Sequence, residues 1–295
     1  LFGGGTDVSS YSDKFGGLVV NLAINLKQHV TYYNGQDLFS LDQNKFPYDV
    51  SPEFVYKIFE EFKINGQHHS KIETSFDGVI GAGLGSSGAI GIATVGALNK
   101  ALNLKLSKHD IAEKAFEIEN KVHYTGRQDQ YASLHGGMNI MEFGNKVNIK
   151  PFNKEIAQTI QESLILLFLG KREQDIQKGL KELSYDQILA LHEIKKLAEQ
   201  SIAVIEQGDI EKLGNLLTQV WEYKKLSNKV STLLIDQFYE KGLKNGAYGG
   251  KLLGSGGSGY MLFIIDPSKK EQFAHQMGEG TDFEISWGGL STRIL

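Results

Sequence analysis

The stretch GAGLGSSGAIGIA, residues 81–93, limits the possible fold more than any other part of the sequence. Gly83, Gly85 and Gly88 spell G-x-G-x-x-G between a strand-like segment, 71–76, and an apolar segment of helical spacing, 88–101. Such a stretch requires a strand, a tight glycine turn and a helix with an open N-terminus. Glycine lets backbone approach an anion closely, and the unpaired N–H groups and dipole of the first helical turn attract it. Two well-known phosphate motifs nevertheless fail. A dinucleotide fold needs a second strand ending in an acid about 20 residues on, but the acid at that distance, Asp110, opens another helical segment in NLKLSKHDIAEKAFEIEN. A Walker A loop needs G-x-x-x-x-G-K-[ST], and Gly250-Lys251 is followed by Leu252. What remains is a generic anion loop in which Ser86 and Ser87 can cap the helix, bond a phosphate oxygen or ligate Mg²⁺. The plain alternative is a strand-to-helix turn with a Ser N-cap.

Two further glycine clusters stand far away in sequence, LFGGGTD at 1–7 and GGKLLGSGGSGYMLF at 249–263. Each adjoins strand-like sequence, and three such loops are expected to converge on one ligand. Two acids add chemistry. On the helical segment 107–123, Ile111, Ala115, Ile118 and Val122 form one apolar stripe. Glu119 lies about 60° from its centre, between the small Ala112 and Ala115. Either it is a partly buried carboxylate that needs a partner or a cation, or it flanks the stripe and reaches water. Asp129 follows in TGRQDQYASLHGG, where it either stabilises the first turn of a short helix or acts on an acceptor hydroxyl in phosphoryl transfer. The histidines offer no metal spacing, with His68-His69 in a polar loop and His123, His135 and His192 scattered.

The rest of the chain alternates strand and helix patterns. Strands are predicted at 18–24, 29–33, 71–76, 138–143, 163–168 and 260–265, and helices at 51–62, 88–101, 107–123, 186–207, 209–226 and 231–245. Ser107 with Asp110 forms a capping box, and Gly208-Asp209 marks a helix stop and restart. These elements predict an α+β chain, with a boundary near Pro151 separating 1–150 from 151–295. Over 295 residues the net charge is -4, with no basic run for nucleic acid or an anionic membrane. The longest apolar run, 164–169, is too short to span a bilayer. The absence of cysteine excludes disulfides and thiolate chemistry and suits a reducing cytoplasm. The sequence starts at Leu1 without Met or a signal peptide, so the natural N-terminus is expected to lie upstream.

GGGTD, GAGLGSSGA and LLGSGGSGY, in this order, resemble the three motifs of the GHMP kinases, the superfamily of galactokinase, homoserine kinase, mevalonate kinase and phosphomevalonate kinase. The resemblance spans nearly the whole chain, and GLGSS is its most specific part. Gly3 to Asp7, Tyr11 to Gly17 and the run GRQDQYAS at 126–133 look most like the branch that phosphorylates D-glycero-D-manno-heptose 7-phosphate at the anomeric hydroxyl. The resemblance implies a ribosomal protein S5 domain 2-like N-terminal domain that binds ATP, followed by a ferredoxin-like α+β C-terminal domain. By the same resemblance Gly83, Leu84, Gly85, Ser86, Ser87, Gly88 and Ala89 would wrap the ATP phosphates. Ser86 or Ser87 with Glu119 would hold Mg²⁺, and Asp129 would be the catalytic aspartate, as base or as electrostatic aid. Gly4, Gly5, Thr6 and Asp7 would meet the sugar phosphate, and Gly254, Ser255, Gly256 and Gly257 would close the site from the second domain. The implied protein is a cytoplasmic monomer or homodimer.

Two departures qualify the match. The strand and basic residue that precede GGGTD in the family are not in this sequence, and Gly88 stands where the family usually has a small polar residue. Arg127 and Lys171-Arg172 are the candidates for the acceptor's own phosphate. Rival readings are another anomeric sugar kinase, of fucokinase or galactokinase type, and a non-catalytic nucleotide or sugar binder. The retained Asp129 argues against the binder, which needs no acceptor-activating acid.

Overall fold

A computed structural model describes residues 1–34, 52–63, 70–79, 82–170, 181–227 and 230–293. The N-terminal half holds a three-stranded sheet of β1 (Gly17–Leu22), β4 (Met138–Phe143) and β5 (Asn148–Pro151), ordered β1-β4-β5. A separate two-stranded sheet pairs β2 (Gln28–Asn34) with β3 (Ser70–Phe76), with a helix between them in the chain. Around them lie α1 (Ser9–Phe15), α2 (Pro52–Glu61), α3 (Ser86–Ala101), α4 (Lys108–Val122) and α5 (Gln128–His135). After α6 (Lys154–Glu162) comes a second sheet, β6 (Leu164–Phe168), β8 (Tyr260–Ile264) and β7 (Gly249–Leu252), in the order β6-β8-β7. The long helices α7 (Tyr185–Gln207) and α8 (Ile210–Ser227) join it, with α9 (Leu233–Lys244) and α10 (Lys270–Met277).

Every strand pair among the described residues is antiparallel. This topology removes the dinucleotide reading, which requires parallel strands joined by a crossover helix. The glycine loop therefore serves a different sheet architecture.

The helix signals work as their chemistry dictates. Ser107 accepts from the Asp110 N–H at 3.2 Å while Asp110 accepts from the Ser107 N–H at 3.0 Å, closing the capping box of α4. Gly208 ends α7 in the left-handed region at φ 69°, and Asp209 then accepts from the Lys212 N–H at 3.0 Å to start α8. One expected cap is absent. The N-cap of α3 is Gly85 in the left-handed region, with no side-chain cap, so Ser86 and Ser87 sit inside the first turn. The Ser N-cap reading is thereby corrected.

The largest core crosses Pro151: Phe2, Leu18, Val20 and Ile140 pack with Leu164, Leu197, Leu217 and Ile264. A second core lies under α3 and α4, with Phe54, Ile90, Val95, Ile111 and Ile118. The chain end also returns to the first half. Ile285 bridges Ile24, Ser286 O accepts from the Gly137 N–H at 2.7 Å, and Leu134 O accepts from the Leu290 N–H at 3.2 Å.

Candidate active site

The three glycine clusters do converge. A cavity of about 1360 Å³ is bordered by Gly4, Gly5 and Asp7 from the first, Gly83 to Ser86 and Ala89 from the second, and Gly254 and Ser255 from the third, with Asp129 between them. The second and third clusters touch directly: a Cβ on Gly83 would come within 2.9 Å of Leu253 O, and Tyr260 donates its N–H to Ala82 O at 3.0 Å. These contacts fix the open N-terminus of α3 at the cavity, where its dipole and free N–H groups favour an anion.

Asp129 opens α5 and leans on the same loop. Cβ atoms built on Gly85 and Gly88 would come within 3.0 Å of its Cγ and 2.7 Å of its Cβ. Gly88, a departure from the family pattern, is thus where the absence of a side chain lets α5 approach α3. Burial raises the Asp129 carboxyl from 3.8 to about 6, and the neighbouring charge of Asp7 pushes the same way. A carboxyl with that affinity is a better proton acceptor near neutral pH than an ordinary aspartate.

Glu119 does not reach water. It is 3% exposed, and its oxygens accept from Ser87 Oγ at 2.5 Å and Gln130 Nε2 at 2.6 Å. The small residues beside it, Ala112 and Ala115, are fully buried and leave the room that the wheel predicts. Gln130, which sequence reasoning missed, is fully buried, and its Oε1 has no hydrogen-bond partner.

The first cluster corrects part of the sequence reading. Thr6 is fully buried; its hydroxyl donates to Gly3 O and Leu18 O and accepts from the Leu18 N–H. The expected sugar contact at Thr6 is therefore withdrawn: this hydroxyl clasps the loop to β1. Asp7 is fully buried as well, accepting from the Gly5 N–H at 3.0 Å and the Gln128 N–H at 2.9 Å. Burial raises its carboxyl above the usual value, against the pull of those N–H groups. Asp7 thus ties the first cluster to the start of α5 while bordering the cavity.

In the third cluster Gly254 and Ser255 face the cavity, whereas Gly256 and Gly257 dock on Val230, whose O accepts from the Gly257 N–H at 2.9 Å. Arg127 turns away from the cavity. It stacks 4.2 Å above the Phe116 ring, donates to Ser9 Oγ at 3.1 Å and pairs with Glu113 at 3.5 Å. It is a strut for α5, and its candidacy for the acceptor phosphate is withdrawn. His68-His69 and Lys171-Arg172 lie outside the described residues.

Several cavity residues carry no sequence motif. Leu183, just before α7, and Gln187 and Leu191, near its start, border the cavity, with Leu191 Cδ2 3.1 Å from a Cβ built on Gly5, and Lys224 and Lys251 line the wall from α8 and β7. Lys251 lies inside the third glycine cluster, but a single lysine there does not show which face of the strand it takes.

Comparison with known proteins agrees with this geometry. Residues 53–137 match the GHMP kinases N terminal domain, and residues 197–280 match the GHMP kinases C terminal domain. The chain is 32% identical to the D-glycero-alpha-D-manno-heptose 7-phosphate kinase of Campylobacter jejuni, over 99% of this chain and 95% of that protein. It is 24% identical to a galactokinase of Pyrococcus furiosus, over 95% of this chain and 92% of that one. Among solved structures, a D-glycero-D-manno-heptose 1-phosphate kinase from Bacteroides thetaiotaomicron superposes with a TM-score of 0.71 at 26% identity, covering 98% of this chain and 94% of that one. With the three loops around one cavity and both halves matched, the chain belongs to the GHMP kinases.

Proposed function

We propose that the chain transfers the γ-phosphoryl group of ATP to the anomeric C1 hydroxyl of D-glycero-D-manno-heptose 7-phosphate, giving the 1,7-bisphosphate that feeds nucleotide-activated heptose and surface glycans. The observation that carries the phosphoryl-transfer reading is Asp129, its carboxyl packed against Gly85 and Gly88 of the loop at the α3 N-terminus. A donor phosphate on that loop and an acceptor hydroxyl at Asp129 are then neighbours. The choice of acceptor is supported by the full-length likeness to the Campylobacter jejuni heptose 7-phosphate kinase.

In this reading the N–H groups of Gly83 to Ala89 hold the phosphates, with the α3 dipole behind them. The acceptor lies between Gly4, Gly5 and Asp7 on one side and the start of α7 on the other. Asp129 orients its hydroxyl and takes its proton as the new P–O bond forms and the β–γ bridge breaks, so that ADP leaves. Ser86, Ser87 and Glu119 offer hard oxygen donors with a single carboxylate. That set fits Mg²⁺, which takes its other ligands from water and phosphate. When bound, the ion neutralises the charge on the β- and γ-phosphate oxygens. We place this activity in the cytoplasm, in a monomer or homodimer. No helix of the described residues is long and apolar enough to cross a membrane.

ADP release measured across heptose 7-phosphate, fucose, galactose and mannose tests the acceptor. Heptose 7-phosphate should exceed the free sugars by at least about 100-fold in kcat/KM, the size of effect expected when a site built for a charged group is left unpaired. A preference for galactose or fucose would transfer the assignment to those kinases.

A further inference from the structure

The C-terminal wall of the cavity holds two polar side chains that folding does not explain. Lys251 is 7% exposed, yet no hydrogen bond or ion pair joins its amine to any described residue. It stands on β7 opposite Leu262, while its neighbour Leu252 faces the other way into the core with Met261 and Phe263. Strand alternation therefore sends Lys251 to the cavity face, beside Leu164, Leu166, Leu262 and Val220. An apolar residue would suit that wall better, because an ammonium without a counter-charge is costly to bury. Burial draws its amine from 10.5 down to about 8, which still leaves it mostly cationic at pH 7.

Ser255 is the second such group. Its Oγ is buried and has no hydrogen-bond partner. Neighbouring side chains show what a structural role looks like here. Lys224 donates to Leu252 O at 3.0 Å and Gly254 O at 2.7 Å, and Ser258 donates to Gly170 O at 2.7 Å. Those two residues hold the third glycine loop in place, and Lys251 and Ser255 take no part.

We propose that Lys251 and Ser255 form a phosphate-binding element on the C-terminal wall, taking a phosphate group of a substrate that enters the cavity. The inference rests on the kinase reading of the cavity but not on which sugar is the acceptor. A fixed cation in an apolar wall binds a phosphate strongly because little solvent screens the pair, and a hydroxyl donor adds direction. The phosphate can come from the nucleotide or from a phosphorylated acceptor, and the experiment separates these sources.

The full chain is treated with a limiting amine acylating reagent at pH 8, and modification of Lys251 is followed by peptide mass spectrometry. The competing probes are inorganic pyrophosphate, ATP, heptose 7-phosphate and unphosphorylated mannose. At least one phosphate-bearing probe should slow modification fivefold or more, with no effect from mannose. Protection by ATP and pyrophosphate assigns the donor, and protection by the sugar phosphate alone assigns the acceptor. Lys251→Met should melt above the wild-type temperature, because the buried charge is removed, and raise the KM of the protecting substrate about tenfold or more, and Lys251→Arg should recover part of the loss in KM. Ser255→Ala should show a smaller rise in the same KM, which keeps the test open if Lys251→Met fails to fold. Wild-type KM values in Lys251→Met, or no protection by any phosphate while ATP turnover persists, would overturn the proposal. Because pyrophosphate and ATP need no sugar, a wrong acceptor assignment leaves this test intact.

Discussion

At the scale of single residues, the chemistry concentrates on Asp129 and Glu119. Asp129→Asn is expected to lower kcat by about 10²–10⁴-fold, the span of a lost general base, while ATP affinity stays within a few-fold of wild type. The same substitution should make the protein more stable. The carboxyl rises from 3.8 to about 6 on folding, so between those values the folded chain binds more protons than the unfolded one. Its contribution thus turns unfavourable as pH climbs from 4 to 6, and above that the penalty reaches at most about 3 kcal/mol. Urea unfolding without nucleotide or metal should show Asp129→Asn more stable at pH 7 and equal to wild type near pH 3.5. A loss of stability at pH 7 would show that the buried carboxylate is compensated. Glu119→Gln should raise the Mg²⁺ concentration needed for half-maximal rate by about tenfold, the scale of losses at a metal's supporting groups; an unchanged Mg²⁺ titration would leave Glu119 a purely structural acceptor for Ser87 and Gln130. The sequence singled out both acids but left each with two readings, because a helical wheel gives the direction of Glu119 and not its partners, and an acid after a glycine turn suits a first-turn role as well as a chemical one. Thr6 misled, since a threonine in a glycine loop reads the same whether its hydroxyl serves a ligand or the backbone. Lys251 was passed over because a single lysine forms no pattern.

At the scale of elements, the contact between α3 and α5 positions the site. Gly88→Ala places a methyl group 2.7 Å from Asp129 Cβ and 3.0 Å from backbone atoms at Asp129 and Gln130. Backbone cannot yield as a flexible side chain does, so the helices must part. We expect a loss of about 1–3 kcal/mol in unfolding free energy, typical of overpacking. Turnover should fall by more than tenfold, because small misplacements of reacting groups cost heavily. A wild-type rate with the melting temperature intact would mean that α5 has slack. The long helices and the apolar strands were legible from their periods, and α4 and α7 keep their predicted caps. The short elements were not. In β7 the run GGKL offers two glycines and a lysine where a strand pattern should alternate, and α1 buries only Tyr11 and Ser12. Tertiary contacts, not local preference, hold such pieces.

At the scale of the whole molecule, the halves on either side of Pro151 share one core and one cavity. Tyr11 on α1 meets His192 Nδ1 on α7 at 2.7 Å, and residues 285–290 pack back against the first half. We propose that 1–150 and 151–295 are two domains by architecture and one unit in unfolding. Calorimetry should then give a single transition with equal calorimetric and van't Hoff enthalpies. Two resolved transitions would count against a shared core. The start of α7 as a wall of the cavity was invisible in the sequence, since only the fold carries Leu191 to Gly5. The substrate assignment draws on both halves together. It is tested most directly by ¹H–³¹P correlation NMR of the product formed from heptose 7-phosphate, ATP and Mg²⁺. The reading predicts a second phosphate coupled to the anomeric proton, with the 7-phosphate retained. A new phosphate on any other carbon, or ATP hydrolysis with the sugar unchanged, would contradict it.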